Sequence, residues 1–293
     1  MIKSAIFAPL VVLAFLLFSC KDDEPTPKDP DVQKVCLVSQ SDVNGYFRNY
    51  TYNAQKKIAS VTDNFGNNQT FTYLSDTLVE EGELNPIIFS NRTRYSLTPD
   101  GRIKTIITEG WNPQPGFGLV QASITKQEYT YLANGSFSKF VSSSGTYFLD
   151  SATLRPLGTI RLRPNSRTEA LYDVAGLLTK IENYFIDANG SEWINSQETV
   201  TEYQSEEIGN ANELTGFWLP SVLQSNSLFF IKPFYFGEKL PKVFESSGGF
   251  MVTIRTLNFQ LNELKQVETI EEIIDNGFGG TFTNITNLQW TCL

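Results

Sequence analysis

Histidine is missing from all 293 residues. Its absence removes Ser-His-Asp and Cys-His nucleophilic sites, most catalytic zinc centres and imidazole proton shuttles. Basic residues are also in short supply: 23 Lys and Arg stand against 32 Asp and Glu, a formal charge of −9. A chain that acidic repels nucleic acid and anionic lipid, so neither is an expected partner. No phosphate-cradling Gly-rich loop and no calcium loop is found, and no cofactor or metal is expected. Cysteine is scarce, at three residues: Cys20, Cys36 and Cys292. The first lies at the end of an apolar run, Ala5–Phe18.

That run follows Met1-Ile-Lys3 and is too short to cross ~30 Å of hydrocarbon, but it suits the core of a signal peptide. It closes on Leu16-Leu17-Phe18-Ser19-Cys20, which resembles the signal of bacterial lipoproteins, in which the cysteine is lipidated and becomes the new N-terminus. The resemblance implies a signal peptide over residues 1–19, a lipid on Cys20 and a membrane as partner through that lipid. The following segment, Lys21–Gln33 (KDDEPTPKDPDVQ), has three prolines and no aromatic, so residues 20–34 read as an unfolded tether. Its acidic run Asp22-Asp23-Glu24 is similar to the export signal of Bacteroidota surface lipoproteins. The expected location is the outer membrane, at the cell surface or on the periplasmic face, where a glycan or protein is the further partner.

Aromatics make up 13% of the sequence, and aromatic and β-branched residues dominate its apolar content, which favours sheet. Tyr129–Val141 (YTYLANGSFSKFV) carries a phrase that recurs. Tyr50-Thr-Tyr52 leads through a turn to Ile58 and Val61, and Tyr95-Ser-Leu97 to Ile103 and Ile106. Tyr129-Thr-Tyr131 leads to Phe137 and Phe140, Leu171-Tyr172 to Leu178 and Ile181, and Leu257-Asn-Phe259 to Leu264 and Val267. Two residues before the first apolar position stands Gly, Asn or, once, Lys56, which predicts a left-handed turn residue closing a hairpin. Three residues between the apolar positions put them on opposite faces of a flat strand unless a bulge intervenes. The interval from Tyr172 to Phe259 is about twice the others, so a further copy is expected near Tyr203–Phe217.

With Cys20 acylated in an oxidising compartment, Cys36 and Cys292 form the remaining pair and predict a disulfide. Bridged Cα atoms lie within about 7 Å, so the first and last strands must be neighbours or face one another. Residues 35–293 thus read as one all-β domain, an antiparallel meander of repeated hairpins. A strongly curved sheet or closed barrel is expected, with a two-sheet sandwich as the alternative. Leu264–Phe278 reads as strand from the repeat, although its apolar spacing also fits a helix.

The repeat resembles the tyrosine-aspartate repeats of RHS-type bacterial surface proteins. It is more similar still to a group of Bacteroidota lipoproteins without assigned function, through the lipobox, Cys36, Asp100-Gly-Arg-Ile103 and Trp290-Thr-Cys292. The resemblance implies fold and location only.

Candidate sites are sparse. The pairs Glu80-Glu81, Glu206-Glu207 and Glu271-Glu272 suggest glycoside chemistry, but adjacent strand residues point to opposite faces, so they read as surface charge. Trp111 and Phe117 in the Pro/Gly-rich loop Gly110–Gly118, and Trp218 within Ser205–Asn226, are the ligand-binding candidates. Leu228–Phe236 reads as a buried strand. Asp76-Thr77-Leu78 and Asp150-Ser151-Ala152 resemble the O-glycosylation sequon of Bacteroidota, at Thr77 and Ser151. The leading functional expectation is a non-catalytic, membrane-anchored binding or structural module. A barrel carrying an apolar or sugar ligand and a carbohydrate-active enzyme are the alternatives.

Overall fold

The structure, a computed structural model, describes residues 36–114, 116–205, 241–248, 251–264 and 266–292. The signal peptide, Cys20, the tether, Glu206-Glu207, Trp218 with almost all of its segment, and Leu228–Phe236 lie outside the described residues. What is described is sixteen strands. They are β1 (Cys36–Val43), β2 (Tyr46–Tyr52), β3 (Ile58–Asp63), β4 (Asn68–Ser75), β5 (Leu78–Gly82), β6 (Ser90–Leu97), β7 (Ile103–Gln114) and β8 (Leu119–Tyr131). There follow β9 (Phe137–Asp150), β10 (Arg163–Tyr172), β11 (Leu178–Ile186), β12 (Glu192–Tyr203), β13 (Pro241–Gly248), β14 (Met251–Leu261), β15 (Val267–Asp275) and β16 (Thr281–Cys292). Every strand pairs antiparallel with its neighbours in sequence, and β1 pairs with β16. The meander therefore closes into a barrel and does not split into two sheets.

Cys36 lies directly opposite Cys292 in the β1–β16 register, and the two are bonded. In an up-and-down barrel, strand parity fixes which end each turn occupies. The described turns leaving even-numbered strands share one end with the disulfide, here called the stapled end. All turns leaving odd-numbered strands share the other, here called the open end.

The repeated phrase is the stapled end. At each copy the register shifts by one residue, between Thr51 and Tyr52, Ser96 and Leu97, Thr130 and Tyr131, Leu171 and Tyr172, and Gln260 and Leu261. This bulge rotates the strand, so both apolar positions of a copy face inward; Ile58 and Val61 are both buried. The turn residue is left-handed at the Lys and Gly copies, as at Lys56 (φ 60°) and Gly135 (φ 89°), but Asn262, expected in that role in the last copy, is not left-handed. At Gly135 the positive φ is what disfavours a side chain, since the atom a Cβ would crowd at 2.6 Å is the movable tip of Arg102.

A bulge disrupts the ladder and leaves backbone groups to be satisfied by other means. The second aromatic of the next hairpin does this. Tyr73 donates to the Ile58 carbonyl (2.9 Å), Tyr131 to Ile103 (2.7 Å), Tyr172 to Phe137 (2.6 Å) and Tyr203 to Leu178. Trp290 Nε1 donates to Val267 (2.8 Å), and Tyr52 crosses to Val38 of β1 (2.6 Å). The hydroxyls give a reason for tyrosine over phenylalanine at the strand ends that carry it, Tyr52, Tyr73, Tyr131, Tyr172 and Tyr203, whereas Leu97 and Leu261 stand there in two copies.

Two expectations need correction. In the last copy the strand-end residue is Leu261 and the apolar pair is Val267 and Ile270; Leu264 sits in the turn, largely exposed. The turn has the ordinary length, with the Asn262 amide bonded to the Gln266 carbonyl as Asn53 is to Lys57. Leu264–Phe278 is accordingly strand only over Val267–Asp275, followed by a turn.

Inward side chains from all sixteen strands form one apolar plug toward the stapled end. Tyr95, Phe137, Phe244, Leu178, Leu257 and Ile270 are fully buried in it. The outer face is polar. Arg92 pairs with Glu109 (2.7 Å), Arg94 with Glu80, Lys126 with Glu128 (2.8 Å), Arg167 with Glu169 and Glu192, and Lys180 with Glu182 (3.2 Å). Hydroxyl side chains take up the outward positions beside them, as in the Thr51–Ser60 pair (2.8 Å). Outward apolar residues such as Phe47, Leu74, Ile254 and Ile285 are interrupted by these polar ones. Among the described residues they form no belt round the barrel.

Candidate functional site

Above the plug the barrel interior opens into a bowl. Following the inward register of β9 from Phe140 to Ser142, Ser144, Thr146 and Phe148, side chains pass from buried to about 43% exposed at the open end. Phe185 and Trp193, whose rings lie 4.8 Å apart, and Phe282 also face inward at this rim and are about half exposed. The lining is therefore aromatic at the mouth, polar at mid-depth and apolar at the floor. A concave surface of that composition is the usual form of a small-molecule site.

The polar band is organised in networks. Thr168 donates to Asn183 Oδ1 (2.8 Å), and Asn183 Nδ2 donates to Ser196 (3.1 Å). Tyr95 donates to Glu81 Oε2 (2.7 Å), and Ser41 and Tyr50 share a buried hydrogen bond of 2.7 Å. Arg255 lies over the Phe244 ring and pairs with both Glu198 and Glu272, each at 3.2 Å. Asn284 Nδ2 adds a bond to Glu272 (3.0 Å).

Within that triad, burial pushes the Glu198 carboxyl above its ordinary range, with Arg255 pulling the other way and Glu272 adding to the rise. A carboxyl raised in the folded state contributes stability below its unfolded value, which is lost as pH climbs through the folded value. Glu198→Gln removes this penalty while leaving Glu272 to hold Arg255. Relative to the parent, its melting temperature should therefore improve as pH rises above the ordinary carboxylate range, and level off once pH has passed the folded value, in a series of thermal melts. A difference that does not change with pH would sink this reading.

Farther round the wall, β2–β4 and their turn form an open cavity of about 260 Å³ lined by Tyr46, Arg48, Val61, Asp63, Asn67 and Gln69. Tyr46 donates to Asp63 Oδ2 (2.8 Å) and stacks on Phe65 with ring centres 5.8 Å apart. Arg48 projects over the Tyr46 ring, 5.1 Å from its centre. The Asn67 side chain, followed by the Tyr46 hydroxyl and the backbone amides of Asn67 and Phe65, holds the Asp63 carboxyl below the usual range.

The residues singled out from the sequence are dispersed. Trp111 points outward from β7 and packs on Val120, Ala122 and Leu149 with Tyr147, a small apolar cluster on the outer face. Phe117 is exposed at the β7–β8 turn, on the open-end rim. Thr77 is exposed in the β4–β5 turn at the stapled end, and Ser151 in the loop after β9 at the open end. Glu80 and Glu81 lie on opposite faces, as do Glu271 and Glu272, with Glu81 and Glu272 inside. Arg48, Glu198 and Arg255 were not picked out by sequence. Their signal was alternation with the phrase, since Tyr46, Arg48, Tyr50 and Tyr52 share one face.

No protein-family model and no curated protein sequence matches this chain. Solved structures do. A porin-like protein from Bacteroides vulgatus matches at a TM-score of 0.54 and 14% identity, over 86% of this chain and 97% of that one. A porin-like protein from Bacteroides uniformis matches at 0.55 and 14%, over 87% and 96%. At that identity the likeness shows the closed all-β barrel.

Proposed function

We propose that the protein is an outer-membrane lipoprotein whose barrel stands beside the bilayer and serves as a non-catalytic binding cup. The carrying observation is the inversion of its polarity. A barrel that crosses a membrane turns an apolar band about 25 Å tall toward lipid and keeps its interior polar. Here the apolar residues are packed inside, charged pairs stud the outside of β5–β12, and hydroxyl and amide pairs such as Thr51–Ser60 and Thr269–Asn287 face outward on other strands. Setting Arg94, Arg167 and Lys180 at the bilayer midplane would cost about 2–4 kcal/mol for each. The plug also closes the lumen that conduction would need.

Attachment through the lipid on Cys20 supplies what the barrel wall does not. The described chain starts at Cys36 on the stapled end, so the tether joins there and the bowl opens away from the point of attachment. The porin-like Bacteroides neighbours support the outer-membrane setting of this reading, and the bowl supports the binding. Purified protein added to planar bilayers should give no stepwise conductance. In cells, Cys20→Ser should move the protein from the membrane to the soluble fraction. Channels, or a Cys20→Ser protein that survives alkaline washing of membranes, would overturn the proposal.

A further inference from the structure

The geometry points to the β2–β4 wall of the bowl as a site for the acid group of a small anionic ligand, a carboxylate- or phosphate-bearing molecule about the size of one sugar ring. This rests on the bowl being the ligand site, and it assigns the chemistry recognised there. Arg48 carries the argument. Its partner in the β2–β3 register is Asp63, the carboxylate expected to neutralise it. Asp63 is already engaged by four donors: the Tyr46 hydroxyl, Asn67 Nδ2, and the amides of Phe65 and Asn67. Arg48 forms no ion pair among the described residues; it lies over the Tyr46 ring, and its charge and a side-chain hydrogen bond act on the neutral Tyr50 hydroxyl instead.

Arg255, in the same interior, shows the contrast, since two carboxylates hold it. Carboxylates outnumber cations in this chain, so an inward guanidinium left without one, beside an open cavity, is a vacancy for an external anion. The planar fork of arginine matches carboxylate and phosphate oxygens in pairs. Gln69, inward on β4, offers an amide from the adjoining wall, and Val61 gives an apolar floor. Among the described residues Asp63 is the one carboxylate lining the cavity, and the donors that cover its oxygens blunt its repulsion of a bound anion.

Calorimetric titration of the full-length protein in detergent, with galacturonate, galactose 6-phosphate and galactose as probes, tests this. At least one acid should bind about tenfold or more tightly than galactose, the worth of a charge-assisted hydrogen bond. Which acid prevails distinguishes carboxylate from phosphate. Added salt should weaken acid binding. Arg48→Met should abolish the preference and Arg48→Lys restore part of it, with unchanged melting temperatures. Should Arg48→Met fail to fold, Gln69→Leu should weaken acid binding several-fold. Equal binding of galactose, no binding of either acid, or acid binding untouched by both variants would overturn the assignment. Those results would leave the anchored cup standing, because that reading falls on bilayer conductance.

Discussion

Replacing Cys292 with serine should lower the melting temperature by on the order of 10 °C. The bond closes a sequence separation of 256 residues. Chain-entropy reasoning gives about 5 kcal/mol, at the upper end, for a loop of that length. For a domain of this size each kcal/mol moves the midpoint by roughly 2–4 °C. The β1–β16 ladder, with Leu37, Val38 and Gln40 paired to Thr291, Trp290 and Gln289, remains in the variant. The loss should therefore come from the freedom restored to the unfolded chain. Calorimetry without reductant checks it. Cys36→Ser should match Cys292→Ser, the double variant should lose nothing more, and reductant should bring the parent to the same midpoint. A parent that melts alike with and without reductant would contradict this account of the bond.

Phe137→Ala should cost about 3–5 kcal/mol in urea unfolding, as for other fully buried aromatics. The ring is wholly buried, with Tyr129 and Phe140 about it at centroid distances of 6.4 and 6.5 Å. It is also the bulge residue whose carbonyl accepts the Tyr172 hydroxyl. Tyr172→Phe removes that bond while keeping the ring, and should cost about 1–3 kcal/mol, the penalty of depriving a buried carbonyl of its donor. Phe117→Ala, at the exposed β7–β8 tip, should stay within about 0.5 kcal/mol of the parent. If Phe137→Ala proved no worse than Phe117→Ala, the plug would not be the core.

The hairpin repeat, its left-handed turns and the pairing of Cys36 with Cys292 were legible because each depends on local spacing or on a count. Closure followed from the staple, but the choice between barrel and sandwich did not, since alternation alone does not say which inward faces meet. The β4–β5 hairpin was hidden because its tight turn, between Ser75 and Leu78, holds no glycine. Leu264 misled because Leu261-Asn262 imitates a turn three residues too early, and only the bulge at Leu261 fixes the phase. The same difficulty applies to Trp111. Its outward direction is set by counting from the bulge at Ile103, so a Pro/Gly-rich context could not supply it. Arg48 was visible as an inward residue, but its lack of a carboxylate depends on the β3–β4 turn drawing Asp63 away, which is a tertiary fact.

The seam between β1 and β16 also imposes an order of events. Every other pairing joins strands adjacent in sequence and can form as soon as its second strand is present. The seam joins residues separated by almost the whole chain, so β1 stays an open edge, and Cys36 an unpaired thiol, until β16 arrives. Contacts of such long range are the slow ones in folding. During folding the oxidation state of Cys36 therefore reports whether the circle has been completed. A chain stalled or truncated before Trp290 would present both a reactive sulfur and a sheet edge open to foreign strands, and so be marked as unfinished by its own chemistry.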